Sequence, residues 1–169
     1  FVLPWRGTHQ VAHIDLDGNM KHITKGNHDI NNFTFAAGKI VANMNTISKA
    51  VELYDVNLEN GELTQLTDVN REIYDNIKMG EVQERWITTT DGKQMHAWVI
   101  LPPNFDATKK YPTLLFCEGG PQSPVSQFWS YRWNFQVMAS QGYVVIAPNR
   151  RGLPGFGMAW LEQISGDSS

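Results

Sequence analysis

Short runs in which apolar and polar residues alternate dominate the first seventy positions, and one of these patterns returns. Residues 13–18 (HIDLDG), running on to Ile23-Thr24, recur as residues 55–61 (DVNLENG), running on to Leu66-Thr67. The offset is 42 residues over the first run and 43 after the turn, one extra turn residue making the difference. Each copy reads as an alternating strand, an Asp-Gly or Asn-Gly hairpin signal and a second short strand. Residues 33–35 and 39–43 supply two further strand candidates around Gly38. A period in the low forties built from short antiparallel strands is what propeller blades leave in a sequence; a plain β-meander with chance similarity is the alternative. Two copies do not close a ring, which takes about four to eight blades.

Alternation lapses over residues 70–80 (NREIYDNIKMG), which read as a connector. It resumes over 81–89 and 94–101 with Asp91-Gly92 between them, predicting a hairpin. Residues 113–117 and 143–147 are apolar runs of the kind buried strands show, the second β-branched at Val144, Val145 and Ile146. Between them Trp129, Trp133 and Val137 recur at helical spacing, with Met138 beside Val137 and Gly142 where a helix end wants a left-handed residue. Strand, helix and strand in that order predict a crossover joining two parallel strands covered on both faces. A last helix is expected over MAWLEQI, after Gly157.

Composition narrows the picture only a little. The chain has 169 residues, 41% hydrophobic and 18% charged, the values of a packed domain rather than a disordered one. A net charge of −3 gives no footprint for nucleic acid or an anionic membrane, and no run approaches a membrane span. Cys117 is the single cysteine, which excludes an internal disulfide and a cysteine-based zinc site. His9, His13, His22, His28 and His96 lack ligand spacing, so no metal is expected. Asn32-Phe33-Thr34 fits a glycosylation acceptor without support from its context. Six Trp and eight Phe suit sheet packing and aromatic-lined clefts; those of residues 128–135 are read as core first and cleft lining second.

Three segments in order carry a resemblance: EGGPQS after a strand, FWSYRWNFQ, and GYVVIAPNRRGLPGFG. Together they resemble the start of the catalytic domain in the prolyl oligopeptidase family, in its dipeptidyl-peptidase and acylaminoacyl-peptidase branch. The resemblance implies β-propeller blades followed by the N-terminal part of an α/β-hydrolase domain. Residues 1–80 would be the C-terminal blades of a propeller plus a connector. Residues 81–169 would open the peptidase domain and stop before its nucleophile elbow, making the chain an internal piece. The implied activity is serine exopeptidase chemistry, releasing dipeptides from peptide N-termini by acyl transfer. No cofactor is implied, peptides are the partners, and oligomerisation stays open. Export to the periplasm or cell surface is implied as well.

Such a hydrolase needs a Ser on a G-x-S-x-G elbow, a His base and an orienting carboxylate. Ser48, Ser123, Ser126, Ser130, Ser140, Ser165, Ser168 and Ser169 all lack the flanking glycines, so none of the triad is expected here and the chain alone should be inert. What the resemblance does supply is an oxyanion-hole loop, Glu118, Gly119 and Gly120, in which a main-chain N–H approaches the substrate unhindered by a Cβ. Relatives often carry Tyr or His where Glu118 falls. An ionised carboxylate would repel an oxyanion, so the Gly119 or Gly120 amide should serve with the Glu118 side chain turned away. Arg150 and Arg151 follow the second apolar strand at the sheet's carboxyl edge, where open α/β sheets bind ligands. They read as partners for a substrate carboxylate or, more simply, as a structural ion pair. Two other readings stand beside this one: an esterase or lipase-like α/β-hydrolase, and a non-catalytic propeller binding module. A half-built parallel sheet would expose an apolar face and an open edge, so an isolated chain should associate.

Overall fold

A computed structural model describes residues 1–119 and 123–166. These divide into two compact units, Phe1–Ile77 with Ser126–Trp129, and the described residues of Lys78–Val125 with Ser130–Ser169.

The first unit is all sheet. β1 (Val2–Trp5), β2 (Thr8–Ile14) and β3 (Met20–His22) form one antiparallel set. β4 (Asp29–Ala36), β5 (Lys39–Thr46), β6 (Lys49–Val56) and β7 (Leu63–Gln65) form an antiparallel meander. One parallel bridge, His9 to Asp29, joins the two sets. Alternation places Val11, Ile30, Ile40, Ala42 and Val56 on one buried face, with Val2, Ile23, Phe33, Met44, Leu58 and Leu63 against them.

The sequence repeat is a structural repeat at its turns. Asp15 and Asn57 sit 42 residues apart, and each accepts two main-chain N–H groups with its Oδ1: Asp17 and Asn19 in the first turn, Glu59 and Asn60 in the second. Each turn closes on a glycine with positive φ, Gly18 at 88° and Gly61 at 77°. Gly61 is also required by space, since a Cβ there would lie 2.0 Å from the carbonyl oxygen of Ile23. The turns therefore need an Asx side chain and a glycine for separate physical reasons.

Two polar anchors hold loops onto this unit. Glu52 is buried on β6, which would push its carboxyl up. The Thr67 hydroxyl and the N–H groups of Val69 and Asn70 outweigh that and leave it below the ordinary carboxylate range. The connector beyond it contains a single helical turn, α1 (Arg71–Asp75), that alternation did not predict. The second anchor receives residues 126–129. Asp29 accepts the Ser126 hydroxyl at 2.6 Å and the Gln127 N–H at 3.3 Å, Asn45 donates to the Gln127 carbonyl at 2.7 Å, and Gln127 Oε1 accepts from Ile47 N at 3.1 Å.

That anchor corrects the expected helix. Trp129 and Trp133 lie outside it, and α2 covers only Phe135–Ser140. Asn134 starts it, extended at φ −84° and ψ 113°, with Oδ1 accepting the Val137 N–H at 3.0 Å. Val137, expected on the apolar stripe, is 61% exposed. Gly142 ends the segment at φ 89°, as predicted.

The second unit is a four-stranded sheet in the order β10-β11-β9-β8. β8 (Val82–Thr88) and β9 (Gln94–Ile100) form the predicted hairpin. β11 (Val144–Pro148) pairs antiparallel with β9 and parallel with β10 (Thr113–Leu115), the predicted crossover. Full cover of both parallel strands is not found. β11 is central and buries Val145 and Ala147, whereas Leu114 and Leu115 of β10 stay 37% and 63% exposed. β10 is an edge strand, and among the described residues it has no second partner. Under the sheet, Gln136 of α2 clamps Gly80, donating to its carbonyl at 2.9 Å and accepting its N–H at 2.7 Å. α3 (Met158–Leu161) and a 3-10 turn (Glu162–Ile164) realise the last predicted helix.

Candidate active site

Adjacent parallel strands release their chains at one edge of a sheet, so the segments after β10 and β11 lie side by side. Phe116 continues the ladder by one residue, its N–H donating to the Ile146 carbonyl at 2.8 Å, and its ring meets Phe135 edge-on at 4.9 Å. Beyond it the chain leaves the sheet through Cys117, Glu118 and Gly119. These residues wall a cavity of about 480 Å³, shared with Leu114, Trp133 and Met138 among others. The cavity is apolar on the strand and helix side and polar at Glu118. Gly119 is exposed, and a Cβ built there would have no heavy atom within 4 Å, so the space beside its main chain is open. Gly120, expected beside it, lies outside the described residues.

Burial pushes the Glu118 carboxyl above the ordinary range, and the charge of Arg150 works against that shift. Arg150 also donates from Nη1 to the Arg151 carbonyl at 3.0 Å. Arg151 points elsewhere. Its Nη2 lies 2.5 Å from Asp91 Oδ1, and its guanidinium sits 5.8 Å from the centre of the Trp160 ring. The Thr89 hydroxyl first, and Arg151 after it, hold the Asp91 carboxyl down to about 2. The charge of Arg150 is felt at Glu118, whereas Arg151 is engaged with the β8–β9 turn.

Two further residues, Asn149 and His96, shape this edge, and nothing in the sequence pattern singled them out for it. Asn149 is fully buried; its Oδ1 accepts Val125 N, and its Nδ2 donates to Val125 O, both at 2.8 Å. Nδ2 also meets His96 Nδ1 at 2.9 Å. His96 is packed among Trp86, Trp98 and Phe156, and burial pushes its imidazole down to about 4 despite the pull of Glu84. An uncharged ring with Nδ1 accepting is what an amide N–H beside it requires. Ser126 is buried and donates to Asp29, which leaves its hydroxyl no role as a nucleophile. Among the described residues, no three His, Cys, Asp or Glu side chains gather as a metal site would need.

Comparison with known proteins bears directly on this edge. Residues 129–169 match the prolyl oligopeptidase family. A dipeptidyl-peptidase 5 of Porphyromonas gingivalis is 49% identical over 150 residues, 89% of this chain and 22% of the relative. On both matches the chain is similar to the prolyl oligopeptidase family. A second member, the dipeptidyl-peptidase 5 of Porphyromonas endodontalis, is 47% identical over 148 residues, 88% of this chain and 21% of the relative. Among solved family structures, an acylaminoacyl peptidase of Pyrococcus horikoshii superposes with a TM-score of 0.84 at 27% identity, over 99% of this chain and 26% of that one. The chain thus spans about a fifth of the length of the curated relatives it matches. Within the family match fall α2, β11, Asn149, Arg150 and Arg151, whereas Glu118 and Gly119 precede it.

Proposed function

We propose that this chain is part of a serine exopeptidase that releases dipeptides from peptide N-termini. The main observation behind the reading is the 49% identity to a dipeptidyl-peptidase 5 across 89% of the chain. It is supported by an open glycine at the carboxyl end of a parallel strand, walled by an apolar cavity. In this reading the Gly119 or Gly120 amide donates to the oxyanion formed when a serine attacks the scissile carbonyl, and a second donor comes from outside these residues. The serine, its His and its carboxylate also lie outside them, since no Ser here sits in G-x-S-x-G. The 169 residues alone would catalyse nothing. Residues 1–80 are proposed as propeller blades with a connector, and residues 81–169 as the opening of the hydrolase domain. The two Asx-Gly hairpins 42 residues apart support the first assignment. The strand order β10-β11-β9-β8 supports the second. Export to the periplasm or cell surface goes with the reading; among the described residues no helix is long and apolar enough to cross a membrane.

The test uses the full-length protein with dipeptidyl-chromophore and simple ester substrates, with and without a serine-reactive phosphonate. Release of intact dipeptides, abolished by the phosphonate, is expected. Turnover of esters alone, or turnover insensitive to the phosphonate, would sink the reading. Cell fractionation tests the compartment.

A further inference from the structure

We infer that Asn149 is a positioning residue for the loop that carries Glu118 and Gly119, an inference that rests on the peptidase reading above. Both described ends of that loop are held by one strand and its continuation. The outgoing end is tied through the backbone, Phe116 N to Ile146 O at 2.8 Å. The returning end, Val125, lies in no strand, yet it is fully buried and its N–H and C=O both need partners. Asn149, one residue past β11, supplies both from one carboxamide, at 2.8 Å each. The side chain does what a neighbouring strand would do. Its orientation is fixed in turn, because Asn149 N donates to His96 O at 2.8 Å and the spare amide proton meets His96 Nδ1 at 2.9 Å. Few residues can replace it: Asp lacks the donor, Ser reaches one partner, and Gln is one methylene too long.

The consequence is catalytic. An oxyanion donor acts only where the charge develops, and a misplacement of about 1 Å costs on the order of a hundredfold in rate. With Asn149 truncated, Val125 loses both of its main-chain partners, and with them the returning end of the loop loses its tie to the end of β11.

The test compares Asn149→Ala, Asn149→Asp and Gln136→Ala in the full-length protein. Gln136→Ala removes a buried amide clamp of the same kind, on Gly80 rather than on Val125. Active sites are titrated with a serine-reactive phosphonate, and kcat, KM and inhibition by a peptide boronate are measured per titrated site. Asn149→Ala should lower kcat per site about 10- to 100-fold and weaken the boronate in proportion, with KM moving less than about threefold. Asn149→Asp keeps the acceptor and should fall between, which covers the case in which the alanine variant fails to fold. Gln136→Ala should keep kcat per site within about twofold, whatever it costs in stability. Equal losses per site in the Asn149 and Gln136 variants, or Asn149 variants within about twofold of wild type, would overturn the inference and leave the peptidase reading intact. A wild-type protein that neither reacts with the phosphonate nor turns over dipeptidyl substrates would overturn both.

Discussion

Gly80→Ala places a methyl group where the structure has no room. Its Cβ would lie 1.9 Å from the carbonyl oxygen of Leu101 and 3.3 Å from Gln136 Oε1. An ordinary carbon–oxygen contact needs about 3.4 Å, so the chain must move by roughly 1.5 Å. The obstacle is backbone, not a side chain that can swing aside. Moving residue 80 that far breaks its two bonds to Gln136, at 2.7 and 2.9 Å, and strains the pairing of Leu101 N with Glu81 O at 2.9 Å. Each buried polar group left unpaired costs about 1–3 kcal/mol, so two broken bonds and the local strain come to about 3–5 kcal/mol. Urea unfolding followed by tryptophan fluorescence should show the midpoint falling by about 1–2 M with an unchanged slope. Gly119→Ala is the control: it has no positive φ and no heavy atom within 4 Å of the added carbon, and it should shift stability by less than about 0.5 kcal/mol. A Gly80→Ala protein as stable as that control would refute the packing argument.

Other perturbations read different parts of the account. His96 has a folded pKa of about 4 against an ordinary 6.5, so as pH falls the unfolded chain takes up its proton first. Stability should therefore decline from pH 6.5 down to about 4 by up to about 3 kcal/mol and then level off, with the ring signal of His96 titrating near 4; a midpoint near 6.5 would contradict its burial. Arg151→Ala should raise the Asp91 carboxyl from about 2 without returning it to its ordinary value, because the Thr89 hydroxyl remains; a carbon-detected titration of Asp91 checks this. Glu118→Gln should leave or raise kcat at neutral pH, by at most about tenfold, since it removes a negative charge from the loop proposed to meet the oxyanion. A large fall in kcat would instead assign the Glu118 carboxyl a direct part in the reaction.

Local chemistry made much of this fold legible. Asp-Gly and Asn-Gly turns, alternation over residues 82–100 and the β-branched run at 144–146 each announce one element, and each element formed. The helix over Trp129–Val137 failed because its periodicity was accidental: Ser126 and Gln127 are claimed by Asp29 and Asn45, some 80 to 100 residues earlier, and Asn134 restarts the chain as an N-cap. No window of neighbouring residues holds that information. The same limit hid Asn149, Gln136 and His96. Carboxamides that stand in for strand partners leave no period in the sequence, and a buried imidazole looks like any other histidine. For the candidate site, the motif marked the Glu118–Gly119 loop and Arg150 after β11, but not the residue that holds the loop's far end.

The most direct test of the central claim is a structure of the full-length protein carrying a peptide boronate on its nucleophile. The account predicts the Gly119 or Gly120 amide nitrogen at about 2.7–3.1 Å from the boronate oxygen that mimics the oxyanion. A boronate oxygen held only by other groups, with both amides beyond about 4 Å, would contradict it.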